Sequence, residues 1–173
     1  MELFSRIYGD HFKEMIIIHG LFGMSDNWST LGKRFSKYYK VHLIDLRNHG
    51  RSPHSEEFNY EVMSEDILEY IAIHNINEPI LLGHSLGGKV AIKFAFTYPE
   101  KIKKLIVVDI APRKYKTDFH ERILQKLSSL DLKIFTKRKE LEDALSLFID
   151  DIGVRLFLLK NLFRNEAKEF DWR

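Results

Sequence analysis

The chain has no cysteine. That single absence excludes disulfides, thiolate metal sites and a cysteine nucleophile. It also has no long apolar run. The start, Met1 to Met15, lacks the apolar segment of a secretory leader, and nothing later is long enough to span a bilayer. The expectation is a cytoplasmic protein with no membrane partner. Charge of one sign is scarce as well: the net charge is only +2. No strong attraction to nucleic acid follows, and the many lysines read as a solvated surface. No internal repeat, linker or low-complexity tract is present. What remains is ordinary globular material, 45% apolar and 30% charged in 173 residues. That suffices for one domain with a real core.

Along the first 110 or so residues, short apolar runs alternate with amphipathic stretches. Glu2 to Tyr8 reads as a short edge strand. Met15 to Ile18 is β-branched and fully apolar, as a parallel strand buried on both faces should be. Trp28, Leu31 and Phe35 form one helical face, with Ser25 or Asn27 as candidate caps. Val41 to Ile44 is the next strand. A helix begins near Tyr60, with Val62, Met63, Ile67, Tyr70 and Ile71 on one side. Ile80 to Leu82 and Leu105 to Val108 are two more strands. Alternation of this kind predicts an α/β fold, a mainly parallel sheet covered by helices on both faces. Sites in such sheets lie beyond the carboxyl ends of the strands. His19-Gly20, Asp45, Ser85 and Asp109 all stand there. After Pro112 the pattern reads as helical throughout, with helices over His120–Leu130, after Thr136 and after Asp150 or Asp151, the last running through Phe163. The expected division is 1–112 for the core and 113–173 for a helical segment.

The densest signal is Gly83-His84-Ser85-Leu86-Gly87-Gly88-Lys89. Gly83-x-Ser85-x-Gly87 between a strand and a helix fits a nucleophile elbow, a turn sharp enough to lift the serine Oγ above the sheet. The same letters fit the phosphate loop of nucleotide-binding proteins, with Leu105 to Asp109 as an acidic strand. Against that, Val90 stands where Ser or Thr must ligate magnesium. A glycine-rich turn without chemistry is the third reading.

Four motifs together narrow the choice. They are His19-Gly-Leu-Phe-Gly23 with Asn27-Trp28, Asp45-Leu-Arg-Asn-His-Gly50 with Ser52, Gly83-His-Ser-Leu-Gly-Gly-Lys89, and Val108-Asp-Ile-Ala-Pro112. In this order they resemble the α/β-hydrolase superfamily, and within it a clade of small bacterial esterases. The resemblance covers almost the whole chain and leaves the phosphate loop remote. It implies a serine hydrolase acting on carboxylic esters, with no metal or organic cofactor and a small-molecule ester as partner. Ser85 is then the nucleophile and Asp109 the acid. The backbone N–H groups of Leu21 and Leu86 form the oxyanion hole. Asp45, Arg47, Asn48 and His49 read as residues that tie down the loop beside the site, and His19 as a loop-orienting histidine. The ring of His84 is expected to point away from the serine Oγ. The helical segment 113–173 is then a cap that shapes an apolar acyl pocket.

The resemblance also implies something absent. The family's base is a histidine that follows the acid and further strands. The eight histidines here are 11, 19, 42, 49, 54, 74, 84 and 120. Only His120 follows Asp109, and it lies in the cap segment. By resemblance the chain is a single incomplete domain, C-terminally truncated, with its last strands missing. It should be weak or inactive alone, and Leu105 to Val108 should be a bare sheet edge able to pair with a second chain. The alternative reading is a non-catalytic hydrolase-like fragment or half of a two-chain enzyme, with thioester or C–C bond cleavage less favoured.

Overall fold

The computed structural model describes residues 1–115 and 119–173. They fall into two compact units, Met1–Pro112 and Arg113–Arg173. The first is built on a five-stranded sheet of β1 (Ser5–Tyr8), β2 (Glu14–Ile18), β3 (Lys40–Ile44), β4 (Ile80–His84) and β5 (Lys104–Val108), in the order β1-β3-β2-β4-β5. Strand β1 pairs antiparallel with β3, and every other pairing is parallel. The helices between them are α1 (Ser29–Phe35), α2 (Tyr60–Ile73) and α3 (Leu86–Thr97).

The period-2 alternation of β2, β3 and β4 divides the core into two layers. Ile16, Ile18, Ile44 and Leu81 face one way. They pack with Met63, Ile67 and Tyr70 of α2 and with Val90, Ala91 and Phe94 of α3. Met15, Ile17, Val41, Leu43 and Leu82 face the other way, against Trp28 and Phe35. The strands therefore read as unbroken apolar runs because both faces are covered. Leu31, expected on the apolar face with Trp28 and Phe35, is instead 39% exposed. Ser25–Trp28 forms a 3-10 turn, and only Ser29–Phe35 is α-helical, so the expected face is broken between two kinds of helix. Asn59 caps α2 by accepting from the Val62 N–H at 2.9 Å.

Strand β5 is one of the two edges of the sheet, opposite β1. It pairs only with β4, and Val108 is 37% exposed. Its backbone groups on that side have no strand partner among the described residues.

The second unit contains α4 (Phe119–Ser128), α5 (Arg138–Ser146) and α6 (Ile152–Leu159). Leu141 and Leu145 of α5 and Leu158 and Leu159 of α6 are buried. The expectation of helix throughout is wrong here. Helix α6 stops at Leu159, and Phe163 lies in a hairpin of β6 (Leu162–Arg164) and β7 (Phe170–Trp172). Its turn is closed by two bonds, Lys168 N–H to Asn165 O and Asn165 N–H to Glu169 O, each 2.9 Å. Lys168 is left-handed there. Strands of three residues are too short to show an alternation, so periodicity had nothing to detect. No described helix is long and apolar enough to cross a membrane.

Candidate active site

Backbone strain marks one end of the sheet. Seven described non-glycine residues have positive φ, and four of them follow the carboxyl ends of the parallel strands. They are Phe22 after β2 (φ 60°), Asn48 after β3 (62°), Ser85 after β4 (50°) and Asp109 after β5 (54°). Left-handed backbone costs a side-chain-bearing residue on the order of 1 kcal/mol or more and collects at functional sites.

Ser85 is the sharpest case. It has φ 50° and ψ −114°, directly between β4 and the first residue of α3. The turn works only with bare α-carbons around it. A Cβ on Gly83 would lie 2.2 Å from the Gly87 carbonyl oxygen, and one on Gly87 would lie 2.4 Å from the His19 carbonyl oxygen. Gly87 N–H donates to that same His19 oxygen at 3.1 Å, which ties the elbow to the loop after β2. Ser85 N–H donates to the Val108 carbonyl at 3.0 Å, which ties it to the end of β5. As the first helical residue, Leu86 has an N–H with no carbonyl of its own helix to bond, and the positive end of the α3 dipole adds to it.

The loop after β2 lies against the nucleophile. A Cβ on Gly20 would be 3.2 Å from Ser85 Cβ and 2.9 Å from His84 Nδ1. Any side chain at position 20 would therefore push the loop off the serine. The Gly20 carbonyl accepts two bonds, from Gly23 N–H at 2.9 Å and from His19 Nδ1–H at 2.8 Å.

The loop after β3 is a support. Asp45 is buried and accepts from Ser25 N–H at 2.5 Å and Arg51 N–H at 3.0 Å. Gly50, at φ 58°, is required there because a Cβ would lie 2.1 Å from Asp45 Oδ2. Arg47 makes a bidentate pair with Asp66 of α2 (2.6 and 2.7 Å) and also donates to the Glu57 carbonyl. Asn48 bonds both ways with the Ser55 backbone. His49 is buried, with Nδ1 2.9 Å from the Arg47 carbonyl. All four have the tie-down geometry expected of them.

The histidines divide clearly. His19 is 1% exposed, and its Nε2 accepts from Leu46 N–H at 3.0 Å. Burial, then the neighbouring His49, push its pKa down to about 3. His42 is fully buried, with Nδ1 2.8 Å from the Tyr70 hydroxyl, and burial lowers its pKa to about 4. Burial also lowers His49. His11 Nδ1 accepts from Lys13 N–H at the other end of β2. His74 stacks near Tyr70. His84 was expected only to turn away from the serine. Its ring lies against Gly20, and its Nε2 is 3.8 Å from Asp109 Oδ2. No sequence signal announces that approach, because it depends on the parallel register that sets His84 opposite Val108. The Asp109 side chain is 86% exposed.

The sequence model of the alpha/beta hydrolase fold family matches residues 14–134, a stretch that holds the sheet from β2 onward, the elbow and Asp109. The chain belongs to that family. Among relatives of this alpha/beta hydrolase is a Haemophilus influenzae protein named for esterase/lipase activity. It is 38% identical over 91% of this chain and 60% of its own length. An sn-1-specific diacylglycerol lipase of Danio rerio is 36% identical over 92% of this chain and 52% of its own. The solved structure of a marine microorganism esterase superposes with a TM-score of 0.97 and 45% identity, over 99% of this chain and 68% of its own. This hydrolase chain spans 52–60% of the length of these curated relatives.

Proposed function

We propose that this chain carries the nucleophile half of a serine ester hydrolase. Ser85 attacks the ester carbonyl, the acyl group passes to the serine and then to water, and no metal or organic cofactor takes part. The observation that carries the reading is the strained, non-glycine backbone of Ser85, in a turn that needs bare α-carbons at Gly83 and Gly87, with the Gly20 loop against the serine. Nothing in a plain turn would need a serine at φ 50°. Leu86 N–H, at the head of α3, and Leu21 N–H, in the loop that abuts Ser85, supply the oxyanion hole. Asp109 is the acid. Its left-handed backbone is a second strained position beside the nucleophile, and among the described residues its carboxylate makes none of the backbone bonds that Asp45 makes. Residues 113–173 serve as the cap segment of the enzyme. The esterase and lipase names of the relatives favour a carboxylic ester as substrate.

A fluorophosphonate probe tests the nucleophile. The expected result is one adduct by intact mass, located on the Ser85 peptide and absent from Ser85→Ala. Labelling is expected to be slow, because no histidine is placed as the base; an adduct on another residue, or equal labelling of the two chains, would remove Ser85 from the role.

A second reading is favoured by the open β5 edge, that the chain works as one part of a larger assembly whose other part adds strands there. Exposed strand edges invite such pairing. Sedimentation at rising concentration should then show self-association, accompanied by binding of an apolar dye. A monodisperse monomer that binds no dye counts against it.

A further inference from the structure

We infer that His19 is a positioning residue that aims the Leu21 N–H into the oxyanion hole, by holding the carbonyl of the same peptide unit. This rests on the hydrolase reading above and deepens it. The Gly20 carbonyl and the Leu21 N–H belong to one peptide plane. Every described peptide bond is trans, so the two groups point in opposite directions. Whatever fixes the oxygen therefore fixes the N–H.

The oxygen is fixed twice. It accepts from Gly23 N–H at 2.9 Å and from the His19 ring at 2.8 Å. The ring's own orientation is set from its far side. Nε2 faces the Leu46 N–H at 3.0 Å and must be the acceptor there, so the proton of the neutral imidazole sits on Nδ1, where Gly20 needs it. Free imidazole carries no such constraint; here a backbone donor from the loop after β3 imposes the tautomer. With the Gly20 oxygen held toward His19, the Leu21 N–H is turned to the opposite side of the peptide. The α-carbon of Gly20 lies against Ser85, close enough that a Cβ there would touch Ser85 Cβ at 3.2 Å. Phe22 completes the turn in the left-handed region, φ 60°, and lets Gly23 close back on Gly20.

The charge state follows from the surroundings. His19 is buried, and the groups acting on it are the His49 ring, 5.0 Å away, and the ring of His84, with the Gly20 carbonyl as its hydrogen-bond partner. Asp45, in the next loop, is spent on Ser25 and Arg51. A second proton on Nε2 would confront the Leu46 N–H. The imidazole thus stays neutral across the working range of an esterase, and the loop keeps its aim.

The test begins with nitrogen NMR of the 173-residue chain. The expected pattern is a protonated Nδ1 and a bare Nε2 at His19, unchanged from pH 8 to about pH 5. A proton on Nε2, or titration within that window, overturns the proposal without any variant. Two substitutions then separate positioning from packing. His19→Phe keeps the ring and loses both nitrogens, whereas His19→Asn keeps a donor near the Nδ1 position. Amide signals of Gly20 to Gly23 should move in His19→Phe and largely return in His19→Asn, with Ile16 to Ile18 steady in both. The rate of Ser85 phosphonylation should fall roughly a hundredfold in His19→Phe, as expected on losing one oxyanion donor, and recover in part in His19→Asn. Parent-like labelling of His19→Phe overturns the proposal alone. Equal labelling of the parent and Ser85→Ala sinks the hydrolase reading; if the parent takes no probe for want of a base, the tautomer and the loop amides still decide what His19 holds.

Discussion

The 173-residue chain is expected to hydrolyse p-nitrophenyl acetate on the order of a millionfold more slowly than the marine esterase it superposes on. Loss of the general base in a serine hydrolase costs about that much in turnover. The expectation comes from the geometry of the histidines. A base must reach the serine Oγ and be free to take its proton. His19 holds the Gly20 carbonyl with one nitrogen and the Leu46 N–H with the other. His42 is enclosed between the sheet and Tyr70. His49 is buried against the Arg47 carbonyl. His11 bonds at the amino end of β2, beside Lys13, away from the elbow. His84 precedes Ser85 directly, yet its ring lies on Gly20, and its Nε2 is 3.8 Å from the Asp109 carboxylate. A rate within tenfold of the marine esterase would sink this expectation. His84 would then be the first candidate base, and His84→Gln should lower the rate as steeply as Ser85→Ala.

Acid is expected to destabilise the fold well before the carboxylates titrate. His19 and His42 are held neutral by burial, with pKa values of about 3 and about 4, and His49 is lowered in the same way. Their unfolded pKa is near 6.5. A depressed histidine binds its proton in the unfolded state first, so stability is full above about pH 6.5 and is lost as pH falls toward the folded values. At pH 5 each of the two strongly shifted groups costs about 2 kcal/mol, or about 4 kcal/mol together. Domains of this size are stable by roughly 5–15 kcal/mol, so the loss is large. Urea denaturation at pH 7.5 and pH 5 reads it directly. His42→Gln should remove about half of the difference. Equal midpoints at the two pH values would show that these imidazoles reach solvent in the folded state.

The sequence determined more of the site than of the second unit. Gly83 and Gly87 are legible as an elbow because only glycine survives carbonyl approaches of 2.2 to 2.5 Å, and such a need leaves its mark in the letters. Ile16 to Ile18 and Val41 to Ile44 declare buried parallel strands because both of their faces are covered. The tie-down roles of Asp45, Arg47 and Asn48 follow from polar residues crowded into one loop. The hairpin of Leu162–Arg164 and Phe170–Trp172 was not legible, since three residues carry no period. The meeting of His84 with Asp109 was not legible either. Those residues stand far apart in the chain, and only the pairing of β4 with β5 brings them together. The same holds for His19. Its place in the loop was readable, but its tautomer was decided by Leu46, a backbone donor 27 positions away. Local sequence fixes what a backbone segment can do by itself. Which proton sits on which nitrogen depends on neighbours that only the folded sheet supplies.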